Sequence, residues 1–170
     1  MFINPLRAIE EGWLRNVHDK HIQPNAIDVP VNELYKVDNT TTFSLHLDSK
    51  QHKLRKLIDV DNNLWSIDNG VYDWVSDVYV EVPEGYVGWL HTRSTLNRNG
   101  LIVHSGLYDS GFKGPVCGML YNFAGKSGIE IGSCFAQFII APSDSEGVYE
   151  GGYNVDEGSK PWFDSSINQV

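Results

Sequence analysis

Cysteine and basic residues are scarce in this sequence of 170 residues. The two cysteines, Cys117 and Cys134, lie in apolar-rich segments, which favours buried free thiols over a disulfide framework. Thirteen Lys and Arg against 22 Asp and Glu give a net charge of -9, which argues against non-specific binding to nucleic acid or to an anionic membrane. No apolar run reaches the roughly 18 residues of a membrane span, and the charges near the N-terminus do not fit a secretory signal. We therefore expect a soluble, cytoplasmic protein with no nucleic-acid or membrane partner.

Long helical patterns are also missing, which excludes a parallel α/β architecture. One short helix is predicted at the N-terminus, with Asn4 as its N-cap, Pro5 at the first helical position and Gly12 as its C-cap. The rest of the chain reads as short strands separated by turn signals, a pattern typical of a sandwich or jelly roll. Strands are predicted over residues 29–37, 78–82, 86–90, 101–103, 116–123 and 134–141.

Composition divides the chain into one domain and a tail. Residues 1–143 are predicted to form the domain, in which the polar residues 44–75 read as an insertion or a long hairpin with solvated charges. Residues 144–170 are rich in glycine, serine and acidic residues, and they carry four aromatic rings, those of Tyr149, Tyr153, Trp162 and Phe163. We expect this tail to be flexible and to act as a lid that orders on a ligand.

Candidate chemistry is concentrated in residues 88–122, where cations alternate with hydroxyls and glycines between apolar strands. Arg93, Ser94, Thr95 and Arg98 offer the charge-assisted hydrogen bonds that a phosphate chain requires. An ordinary charged surface turn explains the same residues, because Arg-Ser-Thr by itself is a common tripeptide. Both interpretations stay open at this point.

A glycine-rich turn follows, from Gly106 to Gly114. An aspartate held in such a hairpin, here Asp109, can act as a general base toward water, and the nearby ring of Phe112 can cover a sugar face. Spacing alone favours a simpler explanation, in which the aspartate closes the turn through its own backbone.

Ordered motifs are spread over most of the chain: Gln23-Pro24-Asn25-Ala26-Ile27-Asp28, residues 93–100, Asp109 with Phe112, Gly114 and Asn122, then Phe135-Ala136-Gln137 and Tyr149-x-Gly-x-Tyr153. In this order and spacing they resemble the dUTPase and dCTP deaminase superfamily. The resemblance implies a mainly β fold, the distorted jelly roll of the dUTPase-like β-clip. It also implies a homotrimer with active sites between subunits.

One position separates the two branches of this superfamily. The dCTP deaminases move protons with a glutamate seven residues after the aromatic residue of the shared block, and here that position is Met119. Because methionine has no proton to give, the resemblance favours a dUTP diphosphatase that forms dUMP and pyrophosphate with Mg²⁺. A dCTP deaminase and a non-catalytic trimer that senses dUTP are the alternatives.

The resemblance also implies a role for each candidate residue. Asp109 orients and deprotonates the attacking water, and Asp28 helps to hold Mg²⁺ through water. Phosphate contacts fall to Arg93, Ser94, Thr95, Arg98 and Gln137, and contacts to base and sugar fall to Gly106, Tyr108, Phe112, Tyr149 and Tyr153.

Two features depart from the usual dUTPase pattern. The tail lacks the arginine that dUTPase tails carry, so Lys160 is the candidate for the positive charge that this arginine would supply. Deaminase-like and dUTPase-like motifs also occur together, a combination that suits a phage-encoded protein acting in a host cytoplasm.

Overall fold

Antiparallel strands form most of the regular secondary structure, which confirms the predicted mainly β class. The computed structural model describes residues 1–159. Helices α1 (Pro5–Glu10) and α2 (Ser94–Arg98) and a 3₁₀ turn at Asp19–His21 accompany the strands. The strands are β1 (Leu14–Arg15), β2 (Ile27–Pro30), β3 (Glu33–Val37), β4 (Ser44–Leu45), β5 (Lys50–Gln51), β6 (Arg55–Leu57), β7 (Leu64–Ile67), β8 (Gly70–Glu81), β9 (Tyr86–Thr92), β10 (Leu101–His104), β11 (Lys113–Asn122), β12 (Ser127–Glu130) and β13 (Cys134–Pro142).

The N-terminal helix begins as predicted. The Asn4 side chain accepts a hydrogen bond from the backbone N–H of Leu6 at 3.0 Å, and Pro5 occupies the first helical position. The helix ends at Glu10 with Glu11 as its C-cap, so the predicted C-cap at Gly12 is wrong by one residue. Gly12 follows with a φ of 75°, a left-handed conformation that favours glycine. Helix α2 was not predicted, because five residues are too few to show an apolar period. None of the helices in residues 1–159 has the length and apolar character needed to span a bilayer.

Two of the four sheets in residues 1–159 enclose most of the core, and Trp65 and Ile67 of the β7–β12 sheet complete it. The larger has the strand order β10-β11-β8-β3-β6, with β1 also paired to β8, and the smaller has the order β2-β13-β9. The ring of Trp74 on β8 packs edge-on against that of Phe135 on β13, with the ring centroids 5.9 Å apart, and both residues are fully buried. Aromatic and aliphatic side chains from both sheets therefore form one hydrophobic core.

The predicted strand over residues 29–37 is wrong as a single element. It is two strands in different sheets, because β2 pairs with β13 and β3 pairs with β8. Pro30 ends β2, and a proline has no N–H to continue a ladder. The next backbone N–H groups turn to different partners: Val31 donates to the carbonyl of Ser133, and Asn32 donates to that of Val75. The chain thus crosses between the sheets at this point.

The predicted insertion at residues 44–75 is wrong at its C-terminal end. Residues from Gly70 onward belong to β8, a central strand whose Tyr72 and Trp74 are buried in the core. Strand β8 was missed there because Asp73 interrupts its apolar pattern. Strands β4 and β5 do form a hairpin, and β6 adds to the edge of the larger sheet beside β3.

The described part of the tail, residues 144–159, lies against the domain. Val155 donates a backbone hydrogen bond to the carbonyl of Lys113 at 3.0 Å, and its own carbonyl accepts from the hydroxyl of Tyr79 at 2.9 Å. Asn154 accepts from the backbone N–H of Lys113 at 2.9 Å. The predicted tail residues Lys160, Trp162 and Phe163 lie outside the described residues, and the role of the tail as a lid stays a prediction.

Candidate active site

A mainly apolar cavity of about 290 Å³ lies beside the hairpin that joins β10 to β11. Its size is near the lower end of small-molecule sites and suits a single ring better than a whole nucleotide. The lining includes four predicted site residues, Gly106, Tyr108, Phe112 and Tyr153, together with Arg55, Asp73, His104, Cys117, Gly118 and Met119.

Tyr108 fixes the shape of this hairpin. Its hydroxyl donates to the carbonyl of Cys117 at 2.5 Å and accepts from the N–H of the same residue at 3.0 Å. Its backbone exchanges two hydrogen bonds with Gly88, of 2.8 and 2.9 Å. Its ring packs edge-on against Phe112 and Phe138, with centroids 5.0 and 4.9 Å away. Since its backbone N–H is already used, contacts from this hairpin to a base would come from Gly106 and its neighbours rather than from Tyr108.

Burial determines the protonation of the groups around Tyr108. It raises the pKa of the Tyr108 hydroxyl well above its usual value, so the hydroxyl stays protonated. Burial, and secondarily the charge of Asp73, raises the pKa of the Cys117 thiol to about 12. Cys117 and Cys134 are both free and partly buried, in agreement with the sequence-based prediction. A thiol with so high a pKa is not a nucleophile at neutral pH.

Asp109 lies at the turn of the hairpin with its side chain exposed. The turn is closed by the backbone, since the carbonyl of Asp109 accepts from the N–H of Phe112 at 2.9 Å. Gly111 has a φ of 83°, and a Cβ on it would lie 2.7 Å from that of Val148 in the tail. Within residues 1–159 the Asp109 carboxylate makes no hydrogen bond, so the turn does not depend on it. The carboxylate lines a second depression together with Tyr149.

A second group of predicted residues meets on the smaller sheet. Gln137 on β13 is paired in register with Asp28 on β2, and its amide donates to the Asp28 carboxylate at 3.2 Å. Arg93 forms an ion pair with the same carboxylate at 3.1 Å, and Gln23 donates to it at 3.3 Å. Asp28 is buried, whereas about a third of the Arg93 side chain is exposed. The guanidinium and the Gln137 amide can therefore offer donors to a phosphate chain while Asp28 holds them in place.

Asp28 does not form an open metal site. Both of its carboxylate oxygens already accept hydrogen bonds from the neighbouring side chains. Within residues 1–159 no three His, Cys, Asp or Glu side chains come together as a metal-binding group. Mg²⁺ keeps several waters and commonly binds through substrate phosphates, so this donor set fits an ion that arrives with a triphosphate rather than a resident one.

The remaining predicted residues lie at the edges of these two groups. Ser94, Thr95 and Arg98 are exposed on α2, directly after Arg93. Tyr149 packs against Phe112 with ring centroids 5.8 Å apart, and Tyr153 contacts the ammonium of Lys50 on β5. Of the residues that the structure describes, neither Arg93 nor Gln137 lines the cavities that contain Asp109 or Phe112. One chain therefore presents the two halves of the predicted site at separate places.

Two charged residues in the first cavity were interpreted from the sequence as solvated surface, and that interpretation is wrong. Arg55 on β6 and Asp73 on β8 form a buried ion pair, with 11% and 8% of their side chains exposed. Burial raises the pKa of Asp73, and Arg55 opposes the shift. The available signal was the position of Asp73 between buried residues of a strand. Its partner could not be read from the sequence.

Comparison with known proteins assigns a family to this arrangement. Residues 6–143 match the model of the family described as dCTP deaminase-like. The chain belongs to that family. It is 29% identical over 143 residues to a probable deoxyuridine 5'-triphosphate nucleotidohydrolase of Halobacterium salinarum, a match covering 81% of this chain and 85% of the relative. It is 31% identical over 153 residues to a dUMP-forming dCTP deaminase of Corynebacterium jeikeium, covering 81% and 80%.

A solved dCTP deaminase-like structure has the same fold. The 2'-deoxycytidine 5'-triphosphate deaminase of Agrobacterium tumefaciens superposes with a TM-score of 0.60 at 15% identity, over 79% of this chain. The match spans 46% of that longer protein. Residues 144–159, which carry Tyr149 and Tyr153, lie beyond the part of the chain that the family model matches. The curated relatives bear names from both branches of the family, so family membership alone does not select a reaction.

Proposed function

We propose that this protein is a dUTP diphosphatase, which hydrolyses dUTP to dUMP and pyrophosphate. The observation that carries the proposal is the Asp109 carboxylate, which is exposed on a hairpin turn that the backbone closes without its help. The ring of Phe112, three residues away in the same turn, lines the ring-sized cavity. A nucleotide whose base enters the cavity would bring its sugar and first phosphate close to this turn.

The reaction needs a base for water and a place for the phosphates. The Asp109 carboxylate accepts a proton from the water molecule that attacks the α-phosphorus, and pyrophosphate leaves. Arg93 and Gln137 hold phosphate oxygens, and Asp28 orients both side chains. An Mg²⁺ ion bound with the triphosphate would neutralise part of its negative charge, which a protein with a net charge of -9 cannot do through its overall charge.

The alternative within the family is deamination of dCTP, and the cavity argues against it. Met119, which occupies the sequence position of the deaminases' proton-moving glutamate by the family resemblance, lines the cavity. Asp73 lies directly opposite Met119 on β8 and is a carboxylate in the same wall. A proton carrier must gain and lose its charge, and protonating Asp73 would leave the buried Arg55 guanidinium without its counter-ion. The pair is therefore poorly suited to moving protons.

The test is a product assay with Mg²⁺ and dUTP, dCTP, dTTP or UTP in turn. We expect dUMP and pyrophosphate from dUTP and no uracil nucleotide from dCTP. Ammonia release from dCTP at a rate comparable with pyrophosphate release from dUTP would reverse the assignment. Tight dUTP binding without any turnover would instead favour a nucleotide-sensing protein.

We also propose a homotrimer in which the phosphate-binding residues of one subunit, Arg93 and Gln137, face the Asp109 hairpin of another. Mixing equal amounts of Asp109→Asn and Arg93→Gln subunits should then restore activity. Each mixed trimer contains one site with both natural residues, so random assembly is expected to recover about a quarter of wild-type turnover. The measurement is turnover after dissociation and reassembly, with each variant reassembled alone as the control. Verified mixed trimers without activity would place both residues on one subunit.

The tail supports a prediction about substrate affinity. Tyr153 lines the cavity and contacts Lys50 of the β4–β5 hairpin, so the tail meets that hairpin at a residue of the cavity lining. Tyr153→Ala should raise the KM for dUTP several-fold, roughly as expected for a lost aromatic contact, and leave the melting temperature nearly unchanged. Tyr153→Phe keeps the ring and is the matched control. An unchanged KM in Tyr153→Ala would show that the tail is only a surface appendage.

A further inference from the structure

The buried ion pair between Arg55 and Asp73 is the main polar feature of a cavity that is otherwise mostly apolar. Asp73 comes from the central strand β8, and Arg55 comes from the edge strand β6. Only 8% of the Asp73 side chain and 11% of the Arg55 side chain are exposed, and both residues line the cavity. The Nε of Arg55 bonds the Asp73 carboxylate, and another guanidinium nitrogen donates to the carbonyl of Lys53 at 2.6 Å.

Strand register shows that Arg55 and Asp73 face the same cavity as the β10–β11 hairpin. Asp73 is directly opposite Met119 on β11, and Met119 is directly opposite His104 on β10. Residues opposite one another in an antiparallel sheet project from the same face, so these three form a row along one wall of the cavity. On its other side, Asp73 is opposite Tyr35 on β3, and Tyr35 is opposite Leu57 on β6. Arg55 is two residues before Leu57 on the same strand, and side chains two residues apart on a strand share a face. Arg55 therefore projects from that face too.

Stability alone does not account for this pair. Removing two charges from water offsets most of their attraction, and apolar side chains of similar size commonly stabilise a protein as well or better. The neighbouring cavity walls are apolar, with Phe112 and Met119 among them. A buried donor and acceptor at such a place are typical of a site that orients a ligand by a few polar contacts.

We propose that the Arg55–Asp73 pair binds the N3–C4 edge of the pyrimidine ring and determines base specificity, an inference that rests on the proposed function. Uracil presents the O4 acceptor next to the N3–H donor. A guanidinium N–H can donate to O4 while a carboxylate oxygen accepts from N3–H, and both hydrogen bonds are charge-assisted. The pair is neutral as a whole, so an uncharged base can lie against it inside an apolar cavity.

The experiment measures binding, so that it does not depend on turnover. The probes are a dUTP analogue with nitrogen in place of the α,β-bridging oxygen and the N3-methyl derivative of the same analogue. The test variant combines Arg55→Met and Asp73→Leu, which removes both charges at similar volume. The control combines Lys56→Met and Asp59→Leu, which removes the same charges from exposed positions of the same segment.

The wild-type protein and the control should prefer the unmethylated analogue by at least about tenfold, because methylation removes the N3–H donor to the Asp73 carboxylate and puts a methyl group in its place. The double variant should bind the unmethylated analogue about tenfold more weakly and lose most of this preference. Wild-type affinity and wild-type preference in a folded double variant would overturn the inference. Equal binding of both probes by the wild-type protein would also overturn it.

A second variant keeps the test decisive if the apolar pair does not fold. Arg55→Gln with Asp73→Asn keeps a hydrogen-bonding side chain at both positions and removes both charges, and the preference should fall by about threefold or more. An unchanged preference in this variant counts against the inference.

Failure of the inference can be distinguished from failure of the proposed function. If the wild-type protein prefers the analogue with N3–H but releases no pyrophosphate from dUTP, the proposed reaction is wrong and the inference is supported. If the wild-type protein hydrolyses dUTP but both double variants keep its preference for the analogue with N3–H, the proposed reaction is supported and the inference is wrong.

Discussion

Asp109→Asn is expected to lower kcat for dUTP hydrolysis by about 10²-fold or more, the scale for loss of a positioned general base. An amide has nearly the shape of the carboxylate but cannot take a proton from water. The turn itself should be unaffected, because it is closed by the hydrogen bond from Phe112 to the Asp109 carbonyl and by Gly111. Binding of a non-hydrolysable dUTP analogue and the melting temperature should therefore stay close to the wild-type values.

Asp144→Asn is the matched control for this change. It removes an exposed carboxylate next to Ser143 and Ser145, which line the same depression as Asp109. We expect wild-type kcat from the control. If Asp109→Asn also keeps wild-type kcat, Asp109 is a turn residue without a catalytic role.

Arg55→Met alone is expected to lower the free energy of unfolding by about 3–5 kcal/mol at neutral pH, the range for a buried ion pair that loses one partner. The loss arises because Asp73 would remain charged in a nearly buried position. Combining Arg55→Met with Asp73→Leu should restore most of the stability. Urea unfolding of the two variants and the wild-type protein measures both effects.

The single variant should also show a characteristic pH dependence. Burial already raises the pKa of Asp73, and Arg55 opposes that shift, so removing Arg55 should raise the pKa further. A carboxyl group whose pKa is higher in the folded than in the unfolded state loses stability as pH rises through the folded value. The destabilisation of Arg55→Met should therefore be smaller in mild acid than at neutral pH. An equal loss at all pH values, or a double variant as unstable as the single one, would show that packing is responsible.

Local patterns in the sequence were sufficient where the chemistry lies within a few residues. The cap of α1 depends on Asn4 and Pro5, which are adjacent in the chain, and the structure has them in those roles. Asp109 and Phe112 share one turn, so their proximity follows from their spacing. The strand and turn pattern was also enough to predict a mainly β fold, because alternation and glycine-rich turns are local properties. Ordered motifs then indicated the superfamily.

By itself, then, the sequence determined the fold class, the family resemblance and a short list of candidate residues. Tertiary structure decided which of those candidates meet. Gln137 reaches Asp28 across 109 residues of chain, and only the pairing of β13 with β2 brings them together. Arg55 and Asp73 looked like separate surface charges because their pairing depends on the order of β6, β3 and β8 in one sheet. A local pattern carries no information on which distant strand lies alongside, since that choice is made by packing the whole core.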